Sequence, residues 1–409
     1  MTQRSPFAAF CPRLAVFSLL LAAMLAHAPV AVRGAMVLGP WVDRADQDIR
    51  EHRQRRVRII VLTATDRVVE GAEVRVEQIS PAFELGARLD EEDADPLEAL
   101  ARARRLGLPL RAFAGETDLI QPADADAMRE APPPVRLAGP LISSDLAKWP
   151  DALARLEGSA LRAPLLDRIL RGTRGAQRVI PLGDVLRSSI AVEDRLGPGF
   201  ARLAMQKVRS RYEGVQRGVL ARDALMDAKQ DEMLQRVLDL REAFVPFEFV
   251  AVTHRDATPL PPRRMADELR RLRSLDRPIV VMDLQTGGEN VIEAAKHAET
   301  LLRLLYAIPE VEGVYFPGVG PRAFAEPHAS LVDEQGQLTS VGRVVARLFG
   351  ETWRSNETVG TDAAGNAHVR LFHGTHRVTA TLPGGETVET EVRVEPGEGT
   401  KIVALQVLR

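Results

Sequence analysis

The chain has 409 residues and a mass of 44.9 kDa; 45% of the residues are hydrophobic, 27% charged and 5% aromatic. That composition is globular and excludes the disordered, collagenous and disulfide-rich classes. Its 54 basic and 56 acidic residues leave a net charge of −2 with no dominant block of one sign, so a nucleic-acid partner has no electrostatic support.

The N-terminus has the pattern of an export signal. Arg4 and Arg13 precede Leu14–Ala26, thirteen residues without a charge. A run of that length is shorter than the ~20 residues a spanning helix needs. Small residues follow at Ala26-His27-Ala28 and Val32-Arg33-Gly34, which places cleavage between 28 and 35. The protein is then exported, periplasmic or extracellular, with no membrane span in the mature chain. Cys11, the only cysteine, precedes the apolar run, so the mature chain uses no disulfide, thiolate chemistry or Cys-ligated zinc.

After a polar, Arg-rich stretch over 41–56, two β-rich runs follow, Val57–Leu62 and Ala72–Glu77. In the second, Val74 and Val76 alternate with Arg75 and Glu77 as in a half-buried strand. Residues 83 to 348 then alternate short apolar runs with helical patterns. The predicted strands are Phe83–Ala87, Leu110–Gly115, Val135–Ile142, Arg178–Asp184, Gly218–Asp223, Phe247–Thr253, Pro278–Asp283 and Val311–Phe316. The predicted helices between them include Pro96–Leu106, Gly199–Tyr212, Asp227–Ala243, Arg263–Leu275, Asn290–Leu305 and Ser340–Phe349. Eight strand–helix alternations over about 265 residues match an α/β, (β/α)8 barrel in count and length, although a doubly wound sheet alternates similarly. No Gly-rich phosphate loop follows a strand, which counts against nucleotide binding. Four further β runs, Ala367–Phe372, His376–Leu382, Glu386–Val394 and Lys401–Val407, are separated by turn sequences. The division is therefore signal peptide 1–35, linker and small β unit 36–80, barrel 81–350, and C-terminal β-module 351–409.

Several segments of the second half resemble glycoside hydrolase family 10, the xylanase family. Val252-Thr253-His254 corresponds to its Gln-x-His strand, Pro278–Asp283 to Pro-Ile-x-Ile-Thr-Glu, and Gly313–Gly318 to Gly-Ile-x-x-Trp-Gly. Leu331–Gly336 corresponds to its Leu-Leu-Asp-x-x-Gly loop. Upstream, Ala138-Gly139-Pro140-Leu141 is similar to Gly-His-Pro-Leu, and Gly183–Ser188 to Trp-Asp-Val-Val-Asn-Glu. The resemblance spans about 45 to 409 and rests on the order of these motifs. It implies a TIM-type barrel, a polysaccharide or oligosaccharide ligand, and neither cofactor nor metal.

A retaining glycosidase needs two carboxyl groups ~5–5.5 Å apart, one a nucleophile and one an acid/base, at the C-terminal ends of barrel strands. By the resemblance the nucleophile falls on Asp283, one methylene shorter than the family's Glu, and the acid/base falls on Ser188, with Arg187 before it. A serine hydroxyl cannot protonate a leaving oxygen near neutral pH. The cleft Trp of the last strand falls on Pro317, and the Gly-His histidine is missing. His254 keeps its family position, and Asp184, Asp223 and Glu116 follow strands where substrate-binding groups sit; each also has a plain structural or solvated-loop reading. Glu193 and Asp194 are alternative acids if the register shifts. The histidines show no HExxH and no close pair on one helix face, and no Gly-x-Ser-x-Gly elbow occurs. Two functions remain: a non-hydrolytic, glycan-binding or structural exported protein, or an active glycoside hydrolase with relocated carboxylates.

Overall fold

The computed structural model describes residues 40–89, 96–114, 137–142, 149, 151–183, 195–196, 199–225 and 229–407. The first helix, α1 (Pro40–His52), buries Val42, Ala45 and Ile49, one face at helical spacing. The strands β1 (Gln54–Leu62) and β2 (Glu73–Pro81) alternate buried and solvent-facing residues, so each packs one face inward.

Eight parallel strands close a barrel: β3 (Glu84–Arg88), β4 (Arg111–Ala114), β5 (Leu137–Ala138), β6 (Arg178–Val179), β7 (Gln216–Ala221), β8 (Phe249–Thr253), β9 (Ile279–Met282) and β10 (Val311–Phe316). The last pairs with the first. Each strand lies within or overlaps a segment that the apolar pattern predicts. Leu137, Ile180, Leu220, Phe249, Ala251, Val280, Met282 and Tyr315 fill the interior, so the barrel is a packed core and not a pore. Glycine makes room for the two rings: a Cβ on Gly86 would lie 2.2 Å from the Tyr315 ring, and one on Gly218 would lie 2.3 Å from Phe249. At the N-terminal ends of the strands the Tyr315 hydroxyl donates to Glu84 (2.7 Å), and Arg178 pairs with Glu84 and Glu312. That face closes the barrel and is remote from the loops that carry chemistry in such folds.

The surrounding helices are α2 (Pro96–Arg105), α3 (Gly158–Thr173), α4 (Phe200–Arg211), α5 (Lys229–Glu242), α6 (Pro262–Arg271), α7 (Val291–Ala307) and α8 (Ser340–Arg347). Asn290 caps α7 by accepting from the Ile292 and Glu293 amides, and Thr339 caps α8 by accepting from Gly342. The sequence reading does not anticipate α3. Pro164 interrupts its pattern, although Leu161, Leu165 and Ile169 line up on one buried face.

The remaining strands are β11 (Asn356–Gly360), β12 (Asn366–Phe372), β13 (Gly374–Thr381), β14 (Thr387–Val394) and β15 (Lys401–Gln406). The two β-rich ends of the chain meet here. β1 lies between β12 and β15, and β2 lies between β11 and β13 with β14 beyond. Ile59, Val61, Val74, Val76, Leu371, Val378 and Leu405 form the apolar core these two sheets share. No helix among the described residues is long and apolar enough to cross a membrane.

Candidate functional site at the barrel mouth

Three of the residues singled out in the sequence, Asp223, His254 and Asp283, stand just past the C-terminal ends of β7, β8 and β9, where barrel loops meet a ligand. Glu116, Asp184 and Ser188, with Arg187, Glu193 and Asp194, lie outside the described residues.

Asp283 follows the fully buried run Ile279–Met282 and is itself only 3% exposed. Its φ of +48° turns the chain into the left-handed region, which Asp tolerates better than most residues. The next amide, Leu284 N–H, still donates to Tyr315 at 3.0 Å, so the turn re-aims the Asp283 side chain without ending the sheet contact. The carboxylate meets two guanidinium groups. Arg255 donates to Oδ2 from Nη2 at 2.5 Å and from Nε at 3.2 Å, and Arg88 Nη1 lies 3.6 Å from Oδ1. Arg88 is held from the other side, its Nε donating to the Pro317 carbonyl at 3.2 Å. Pro317, where the resemblance leads one to expect a tryptophan, thus supplies a backbone acceptor. Asp283 Oδ1 is buried without a hydrogen bond.

His254 continues the ladder between β8 and β9: its N–H donates to Met282 (3.2 Å) and its carbonyl accepts from Gln285 (2.8 Å). Burial, with a smaller contribution from the nearby His297, pushes the His254 imidazole down to about 4, so it is neutral at pH 7. His297 comes from α7, and burial lowers it too; its Nδ1 lies 3.2 Å from both the amide nitrogen and the carbonyl oxygen of Gly287. The Nε2 atoms of both rings are buried with no hydrogen-bond partner. Asp223, with φ +52°, is exposed and folds back on the end of β8. Its N–H donates to Thr253 Oγ1 at 2.8 Å, and that hydroxyl donates to Asp223 Oδ1 at 3.3 Å.

The structure therefore joins Asp283 to Arg255 and Arg88, while Asp223 belongs to a local turn with Thr253 and, like His297, acts on the buried His254 through space. Sequence reasoning misses both arginines and His297. The one sequence signal for Arg255 is that it directly follows His254 at a strand end. Arg88 and His297 reach the site only through barrel closure and helix docking. The mouth presents charged and hydrogen-bonding groups, but its aspartate already has two cationic partners.

No family model matches the chain. The anti-sigma-I factor RsgI6 of Acetivibrio thermocellus is 23% identical over 376 residues, 88% of this chain and 49% of that protein. Endo-1,4-beta-xylanase 3 of Arabidopsis thaliana is 26% identical over 137 residues, 34% of this chain and 18% of that protein. The chain spans about half the length of the first of these curated relatives and about a fifth of the second. Among solved structures, xylanase 10B from Thermotoga maritima matches with a TM-score of 0.52 at 13% identity, over 66% of this chain and 97% of that one. The fold is a TIM barrel of the family 10 xylanase type, with antiparallel sheets beside it.

Proposed function

We propose that the protein is an exported, glycan-binding barrel that does not hydrolyse the polysaccharide or oligosaccharide it holds. The observation that carries this reading is the state of Asp283. A glycosidase nucleophile must offer a free carboxylate oxygen to the anomeric carbon. Here Oδ2 accepts two bonds from Arg255, and Oδ1, the one oxygen without a hydrogen bond, is buried beside the Arg88 guanidinium rather than open to a substrate. Charge-assisted bonds of this kind hold the anion in place and draw off the electron density that attack requires. The sequence adds that Ser188 stands where the resemblance asks for an acid, and losing acid assistance typically costs ~10²–10⁴-fold in rate. Likeness over most of the chain to a protein named as an anti-sigma factor, rather than to an enzyme alone, favours recognition over turnover. The apolar segment Leu14–Ala26 supports export.

The test uses the purified mature protein and an aryl xyloside with a good leaving group, the substrate that needs least acid help. The outcome expected is turnover no faster than that of Asp283→Ala, together with saturable binding of xylo-oligosaccharides by calorimetry. Turnover that Asp283→Ala abolishes would make the protein a working glycoside hydrolase with Asp283 as nucleophile. Intact-mass measurement of the native protein tests export, with the mature N-terminus expected between 28 and 37.

A further inference from the structure

Away from the mouth, a cavity of about 480 Å³ opens on the helical flank between α1, α6 and the end of α7. That volume lies within the range of small-molecule sites, ~300–1,000 Å³. Ala45, Ala266 and Leu304 contribute apolar surface, and the half-buried Trp41 adds an aromatic ring. The charged lining is unbalanced, with four arginines against two carboxylates, Asp48 and Asp267. Arg44 pairs with Asp48 at 3.2 Å, Arg270 with Asp267 at 2.8 Å, and Arg273 with Glu310 at 3.4 Å. The fourth, Arg263, is exposed and has no ion-pair partner among the described residues.

We propose that this cavity is a second binding site, for a sugar that carries a carboxylate. The apolar face of a pyranose ring covers an indole well, and Trp41 provides that platform. A guanidinium fork matches a carboxylate with two parallel hydrogen bonds, and Arg263 is the group that lacks one. The Asp48 carboxylate and the His52 ring, also in the lining, can accept from sugar hydroxyls. A neutral sugar would leave the Arg263 fork unused, and inorganic phosphate would leave the ring and the apolar surface unused. The choice of a sugar rests on the function proposed above; the choice of an acidic one rests on the cavity alone.

The full mature chain is titrated by calorimetry with methyl glucuronide, methyl xyloside and inorganic phosphate, and the first is repeated with Arg263→Ala, Trp41→Ala and Asp283→Ala. The uronide should bind saturably and more tightly than either of the others. Arg263→Ala and Trp41→Ala should weaken it at least tenfold, and Asp283→Ala should leave it unchanged. Arg263 is exposed, so its replacement keeps the fold even if that of Trp41 disturbs α1. The proposal is overturned if the uronide fails to bind at millimolar concentration, if xyloside or phosphate binds as tightly and loses that binding in Arg263→Ala, or if Asp283→Ala rather than Arg263→Ala removes uronide binding. Failure of the function proposed for the mouth would appear elsewhere, as xyloside turnover or absent xylo-oligosaccharide binding, neither of which involves Arg263.

Discussion

Removing the carboxylate of Asp283 would leave Arg255 and Arg88 side by side without their shared counterion. Breaking a fully buried pair costs ~3–5 kcal/mol, but both guanidinium groups keep partial contact with water, at 44% and 32% side-chain exposure. Asp283→Ala should therefore lower stability by about 2 kcal/mol, read as a fall in the urea midpoint at unchanged slope. A nucleophile held in place for chemistry predicts the opposite, since removing such groups commonly stabilises a fold. The buried histidines set a pH dependence. His254, His373 and His376 are each pushed from 6.5 down to about 4, mainly by burial, and His376 is fully buried. The folded state favours their neutral forms and takes up protons less readily than the unfolded chain. Stability is thus complete above pH 6.5 and is lost as pH falls from 6.5 toward 4, by up to ~3 kcal/mol for a fully buried ring. Urea midpoints measured across that window should fall, and His376→Leu should flatten the slope. An unchanged midpoint down to pH 4 would contradict the burial argument.

At the level of elements, two buried arginines tie the added helix and sheets to the barrel. Arg53, between α1 and β1, donates to the carbonyls of Tyr306 (2.7 Å) and Val311 (2.6 Å), and its guanidinium lies over the Phe83 and Tyr306 rings at 5.2 and 5.1 Å. Arg303 on α7 accepts no water-facing role either: it bonds Glu299 at 3.0 Å and Asp46 of α1 at 2.7 Å, while Arg347 of α8 reaches Glu299 at 2.8 Å. Three helices thus share one charge network, and Glu299 is its buried centre. Glu299→Ala should destabilise by about 3–5 kcal/mol because Arg303 would remain buried with less of its charge matched. A double-mutant cycle with Arg303→Met tests this, and replacing both partners should recover much of the loss.

Across the whole molecule, the sandwich is built from both ends of the chain. β1 and β2 are interior strands of their sheets, so removing residues 40–81 takes a central strand from each. The apolar faces of β12, β13 and β15 would then be left without partners, along with unpaired strand edges. A protein beginning at residue 82 should aggregate or remain unfolded, whereas in the full chain β12 and β13 should be protected from hydrogen exchange. Hydrogen exchange in β12 and β13 as slow in the shortened protein as in the full one would disprove this coupling.

The sequence by itself determined the strand–helix alternation. Val250, Val252, Ile279 and Val281 are buried wherever their strands dock, and apolar patterning reports burial directly. The likeness of the 249–283 and 311–349 segments to the xylanase motifs had the same origin, because each motif is local. β11 escaped notice because none of its five residues is fully buried, so no alternation marks it. Pairing of β1 with β12 and β15 joins residues at opposite ends of the chain, and no local pattern specifies a partner so distant. The candidate site followed the same division. Asp283 and His254 were legible as strand-end residues in motif order, but their neighbours were not. Arg88 reaches Asp283 only because the barrel closes β10 onto β3, and His297 acts on His254 through space from a different element, α7. Residue type and position nominated the carboxylate; tertiary structure alone placed two cations on it, because charges act through space and the distances were set by closure of the fold.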